Sequence, residues 1–183
     1  MRKIIVMEFL TVDGVMEAPE EWQFPYLSED LAEFNKTRLL SLDALLLGKV
    51  TYEIFASSWP LRTKNEFGIA DKFNRMPKFV ISSALEKTEW NNSKLIKDNV
   101  VVELSKIKSQ AGGDIGIVGS ATLIQSLIPH GLIDEYQFLV HPIVLGKGKH
   151  IFEADNHINL MLTQTKQFSS GVVLLVYQPL PDK

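Results

Sequence analysis

The sequence predicts an α/β fold on three observations. Short apolar runs rich in β-branched residues recur along the chain, stretches with helical spacing lie between them, and two runs end at a glycine that turns directly into a helix. The first such junction is Ala44-Leu45-Leu46-Leu47-Gly48-Lys49-Val50-Thr51-Tyr52-Glu53, a buried strand stopped at Gly48 with a helix under way from Thr51. The second is Ile115-Gly116-Ile117-Val118-Gly119-Ser120-Ala121-Thr122, whose helix closes near His130-Gly131. A helix that follows a strand through glycine points main-chain N–H groups and a positive dipole end at one spot, which suits a phosphate. The same arrangement also serves as an ordinary capped turn. If the two strands are neighbours, both helix starts converge on one crevice, enough to grip a pyrophosphate from two sides.

In chain order, Ile4 to Val12 is a strand that stops at the turn signal Asp13-Gly14. Val15 to Pro25 is irregular and long for a connection; its Trp22 and Phe24 either cover a site or plug the core. Ser28 caps a helix whose apolar positions are Leu31, Phe34, Leu39 and Leu40. Asp30, in its first turn, either faces the ligand end of the sheet or supports the helix dipole. The helix after Gly48 loses its pattern at Ser57-Ser58-Trp59-Pro60, and residues 61–76 form a surface excursion with a short helix near Ala70 to Asn74.

Lys78 to Ile81 is a strand ended by Ser82-Ser83, hydroxyls suited to a ribose or 2′-phosphate and equally to plain turn chemistry. A short strand at Lys94 to Ile96 and a helix over Val102 to Gln110 follow. Ile133 to His141 alternates like a half-exposed strand and exits at Pro142, and the loop to Lys149 carries two lysines among glycines. Asn159 to Gln164 and Val172 to Tyr177 form a closing hairpin around Ser169-Ser170-Gly171. Neither glycine junction is a GxGxxG fingerprint, and Gly48-Lys49 lacks the upstream glycine of a P-loop.

Bulk composition narrows the function. The 183 residues with 45% apolar content suffice for one well-filled domain spanning 1–183. Nineteen basic residues against 22 acidic ones give a net charge of -3, not the basic excess of a nucleic-acid binder. The absence of cysteine rules out disulfides and thiol nucleophiles, and the four histidines show no metal-binding spacing, so no metal is expected and His141 reads as structural. Arg2 and Lys3 before an apolar run imitate a secretory leader, but Glu8 interrupts the run and no small-residue cleavage site follows. With no apolar run of roughly 18 residues, a cytoplasmic protein free of membrane is expected.

The element order, with the motifs Thr11-Val12-Asp13-Gly14-Val15-Met16-Glu17, Ala44 to Glu53, Pro77 to Ser82, Ile117 to Ala121, and Gly131 to Glu135 continuing through Pro142-Ile143-Val144-Leu145-Gly146, resembles the dihydrofolate-reductase-like superfamily. It is most similar to stand-alone relatives of the C-terminal reductase domain of the riboflavin-biosynthesis deaminase-reductase. That resemblance implies a three-layer sandwich on a mostly parallel sheet with antiparallel C-terminal strands. It also implies NADPH-dependent hydride transfer to a pyrimidine- or pterin-like heterocycle. Carried over by position, Gly48, Lys49, Val50 and Thr51 meet the cofactor phosphates from one side, and Gly119, Ser120, Ala121 and Thr122 from the other. Ser82 and Ser83 lie by the adenosine ribose; Asp13, Gly14 and Trp22 border the substrate.

Asp30-Leu31-Ala32 with Phe34 is similar to the pterin-binding helix of true dihydrofolate reductases, which makes Asp30 the catalytic carboxylate that protonates the substrate from a site shielded from water. The family's usual arginines are replaced by Lys49 and Ser83, which weakens discrimination for the 2′-phosphate. The zinc-binding deaminase motifs are absent. Two alternatives stay open: a dihydrofolate or pterin reductase, and a nucleotide-binding protein without catalysis. A homodimer is expected through the strand Tyr136 to His141 and the closing hairpin.

Overall fold

Eight strands form one sheet in the computed structural model, which describes residues 1–62, 64–152 and 157–180. The strands are β1 (Ile4–Thr11), β2 (Ala44–Gly48), β3 (Lys78–Ile81), β4 (Ser93–Ile96), β5 (Ile115–Ile117), β6 (Glu135–His141), β7 (Leu160–Gln167) and β8 (Val173–Pro179). Their spatial order is β4-β3-β2-β5-β1-β6-β8-β7. The first six run parallel, and β8 and β7 join antiparallel at the end. The helices are α1 (Pro19–Trp22), α2 (Glu29–Leu40), α3 (Lys49–Ser58), α4 (Ala70–Arg75), α5 (Val100–Ser109) and α6 (Ala121–Leu127). This is the α/β arrangement expected from the sequence, mostly parallel with antiparallel C-terminal strands.

Strand alternation sorts the core into two layers. Ile4, Val6, Leu46, Ile115 and Ile117 pack with Leu104 and Ile107 of α5 and with Leu123, Ile124 and Leu127 of α6. On the other face, Ile5, Met7, Leu45 and Leu47 meet Leu39 of α2, Tyr52 of α3 and Phe73 of α4. The inner strands read as unbroken apolar runs because helices cover both faces. Within β5, Gly116 is required by packing: a Cβ there would collide with the side chain of Leu42, which is fully buried and cannot yield. Gly116→Ala is expected to lower unfolding free energy by about 1–3 kcal/mol. Chemical denaturation measures it, and an unchanged midpoint would show that Leu42 has room to move.

Several boundaries differ from the sequence reading. Gly48, in extended conformation, is itself the N-cap of α3, so that helix begins at Lys49 rather than Thr51. Asn99 in left-handed conformation starts α5 at Val100, two residues early. β7 extends to Gln167 because it is built by pairing with β8, and Met161 to Gln167 are exposed, leaving no apolar pattern to read. The loop before α2 carries two short helical turns, α1 and Phe24–Tyr26. The strand expected over Tyr136 to His141 is β6, paired on both sides, with β1 and β8.

Candidate active site

The sheet splits at its centre. β5 ends at Ile117 opposite Val6, whereas β1 continues to Thr11 with β6 alone beside it. β2 likewise outruns β5, reaching Gly48 opposite Ile81. Beyond Ile117, β1 and β2 are therefore separated by the turn Val118-Gly119-Ser120. The β5-facing main-chain edge of Met7 to Leu10 has no strand against it, and at Thr11 the edge is closed by Val15 and Gly14, whose carbonyl and amide bond the Thr11 main chain at 3.0 Å each. A gap between parallel strands at their carboxyl ends is the usual ligand position in open α/β sheets.

Both glycine junctions lie at this gap, side by side. The Gly48 N–H donates to Ser120 Oγ at 2.9 Å, and the Ser120 hydroxyl donates to Thr51 Oγ1 at 2.7 Å. A Cβ on Gly48 would stand 3.2 Å from Ser120 Oγ, and one on Gly119 would stand 3.0 Å from Thr51 Oγ1. Both positions are thus closed to larger side chains by the opposite turn. Gly119 and Ser120 both have positive φ (74° and 72°), a conformation costly for the serine. The sequence reading gave the Gly48 amide to a phosphate, but Ser120 has taken it. Neither α3 nor α6 has a side-chain cap, and the amides of Ala121 and Thr122 in the first turn of α6 have no acceptor among the described residues. Lys49 is exposed beside them, 3.9 Å from Glu53.

Ser82 and Ser83 follow β3 at the same end of the sheet. The Ser82 hydroxyl accepts from the amides of Ala84 and Leu85, which is turn chemistry; Ser83 is exposed and free of such bonds among the described residues. The adjoining loop after β4 brings Lys97, not singled out from the sequence, to the rim of a cleft that also holds Lys94 and Asp98.

The residues expected at the substrate are mostly committed to structure. Asp13 accepts from the Thr11 hydroxyl at 2.6 Å and from the amides of Gly146 and Leu145 at 2.7 and 3.3 Å, which fastens the loop after β1 to residues 145–146. Gly14 has φ 82° and faces the His150 ring. Trp22 is a buried plug: its indole N–H donates to the Glu17 carbonyl and its ring meets His141 edge-on at 5.1 Å. His141 is buried among Phe9, Trp22 and Tyr26, with Nδ1 2.9 Å from the Leu139 carbonyl. Burial pulls its pKa down, against smaller raising effects of the Leu139 and Leu10 main chain.

Asp30 does not meet the condition of its expected role. It is exposed, it accepts from the Ser28 hydroxyl at 2.5 Å, and from the amide and hydroxyl of Ser169 at 2.9 and 2.8 Å, tying α2 to the β7–β8 turn. These bonds, that from Ser28 foremost, hold its carboxyl well below the usual carboxylate range. The Thr11 hydroxyl and then the Gly146 amide bring Asp13 down from 3.8 to about 2. Depressed folded-state values mean that this stabilisation is complete above about pH 4 and disappears as pH falls towards 2. Asp13→Asn is expected to unfold at lower temperature than the parent at pH 7 and to lose less between pH 4 and 2. Parallel slopes in calorimetric scans across that range would contradict this.

Glu8 and Arg38 are buried charges to which the sequence reading gave no role. Glu8, in the middle of β1, is buried with Oε1 unpartnered; burial drives its pKa well above the ordinary value, against smaller lowering effects of the Gly119 main chain and Arg38. Its neighbour Gly119 places this carboxyl at the gap. Arg38 of α2 is buried too, and burial lowers its pKa to about 10. The signal for Glu8 was visible as one acid inside an apolar run.

The RibD C-terminal domain profile matches residues 2–174. The chain is 32% identical over 185 residues to the uncharacterised protein YyaP of Bacillus subtilis, covering 96% of this chain and 94% of that one. Among solved structures it superposes on a protein from Shewanella sp. PV-4 described as a riboflavin-biosynthesis protein, with TM-score 0.75 at 16% identity, covering 99% of this chain and 100% of that one. It also superposes on the dihydrofolate reductase of Enterococcus faecalis in complex with NADP(H), with TM-score 0.63 at 15% identity, over 97% and 96% of the two chains. The superpositions show a shared fold, and the profile spans nearly every element described above: the chain belongs to the RibD C-terminal domain family.

Proposed function

We propose that this chain is an NADPH-dependent reductase acting on a pyrimidine of the 5-amino-6-(5-phosphoribosylamino)uracil type. The observation that carries the reading is the pair of uncapped helix starts locked side by side through Gly48, Ser120 and Thr51. Their first-turn amides fit a pyrophosphate, with Lys49 as the nearby cation. Lys97 and Ser83 are the groups available to a 2′-phosphate, in place of the arginines usual in the family.

NADPH supplies the hydride when bound. The chain's part is to hold, orient and dry the reactants. The open edge of Met7 to Leu10 orients a ring by main-chain groups, and the plug of Trp22 over His141 closes one wall to water. Asp30, the acid that the likeness to pterin reductases assigns to proton donation, is exposed and ionised, which removes that ground for a pterin substrate. The test is NADPH consumption in the presence of the phosphoribosylamino-pyrimidine and, separately, dihydrofolate. Turnover with the first alone is expected. Turnover with dihydrofolate alone would replace the substrate, and tight NADPH binding without turnover on either would leave a binding protein.

A further inference from the structure

Arg38 stands in a setting that the reductase reading does not use. Its guanidinium is buried, with 9% of the residue exposed, on the face of the sheet covered by α2. Nη2 has one good acceptor, Asn35 Oδ1 at 2.9 Å. Nη1 reaches only the carbonyl and side-chain oxygens of Gln137, both at the 3.5 Å limit, and Nε has no acceptor. No carboxylate lies within 4 Å of it among the described residues.

The nearby acids are already engaged or turned away. Glu135 is held by Lys3 at 3.6 Å and by the Gln137 amide at 2.6 Å. Glu8 pairs in register with Phe138, so its side chain leaves the sheet on the α5–α6 face, opposite Gln137 and Arg38. Its raised pKa also withdraws it as a full countercharge. A buried cation short of an anion is costly in an otherwise well-satisfied core.

Beside this guanidinium is a cleft of about 230 Å³ between α2 and the C-terminal strands, floored by Leu174 and Val176, walled by Phe34, and edged by Gln137 and Gln164. Phe34 carries a second cation, Lys166 Nζ at 5.2 Å from its ring, as well as Arg38 at 5.9 Å. The cleft is therefore apolar below, and Arg38 is the charged residue in its lining. Its size admits a compact ring or short chain, not a nucleotide.

We propose that this cleft is a second ligand site, separate from the split in the sheet, that binds a small monocarboxylate by its carboxylate to Arg38 and its apolar body on Leu174, Val176 and Phe34. A planar carboxylate matches a guanidinium that still has N–H vectors to give, and the two glutamines supply the flanking polar contacts. The site does not depend on the reductase reading.

Benzoate is the probe, with benzyl alcohol as its uncharged counterpart, followed by thermal shift and calorimetric titration of the full chain. Benzoate is expected to raise the unfolding temperature and the alcohol to leave it unchanged. Arg38→Met is expected to weaken benzoate binding at least tenfold. Val176→Phe fills the floor, keeps the arginine, and is expected to do the same should Arg38→Met fail to fold. NADPH titrations of the parent are expected to be the same with and without benzoate. The proposal is overturned if benzoate and the alcohol act alike, if Arg38→Met and Val176→Phe bind benzoate like the parent, or if neither benzoate nor hexanoate binds the parent.

Discussion

Gly119→Asp is expected to abolish NADPH binding while leaving the fold intact. Two effects act together. The added side chain meets Thr51 Oγ1 and Cγ2 at 3.0 and 3.1 Å, which pushes the α3 and α6 turns apart, and a residue other than glycine is strained at φ 74°. The new carboxylate also stands where the pyrophosphate is proposed to lie. Like charges roughly 4 Å apart in a surface cleft repel by about 4 kcal/mol, on the order of a thousandfold in affinity. Fluorescence titration with NADPH reads the loss, with circular dichroism as the check on folding. Gly131→Asp is the control: Gly131 has φ 59° and nothing within 4 Å of its missing Cβ, so it carries the same backbone strain and charge away from the gap. If Gly119→Asp binds like the parent, or if both variants lose binding equally, the cofactor lies elsewhere.

The largest stability effect is expected from Lys78→Met. Lys78 opens β3 and is fully buried, yet its ammonium donates to the carbonyls of Asn74, Met76 and Asn91 at 3.1, 2.9 and 2.9 Å and sits 4.2 Å from the Trp90 ring. It ties the end of α4 to the turn before β4. Methionine has similar length and no donor, so three carbonyls lose their shared partner in a dry site, at a cost on the order of 3–5 kcal/mol. Burial lowers the Lys78 pKa to about 8 from 10.5. A depressed lysine value means that the folded state gives up its proton first, so this group's unfavourable contribution is full below about pH 8 and fades towards pH 10.5. Urea unfolding of the parent and Lys78→Met at pH 7 measures the difference. A loss under about 1 kcal/mol would mean that water replaces the ammonium at the three carbonyls.

Arg38 and Lys78 are both buried cations, and their partners separate them. Three carbonyls at good distance surround the lysine, which makes it a brace. Arg38 has one good acceptor and a cleft, which makes it a candidate for recognition. Burial alone did not distinguish the two roles.

The sequence alone determined the order and type of nearly every element, the mostly parallel sheet through its family likeness, and the two glycine junctions, because apolar periodicity and glycine act over a few residues. Tertiary structure decided what each polar group at those junctions does. Asp13, Asp30 and Trp22 are placed near the ligand end of the sheet, but their hydrogen bonds run to Gly146, Ser169 and Glu17, and the first two partners lie more than a hundred residues away. The Gly48 amide is claimed by Ser120, 72 residues on, and Arg38 becomes conspicuous only when the sheet and α2 close over it. A pattern along the chain records which residues must leave water; which donor meets which acceptor depends on strands far apart in sequence coming into register.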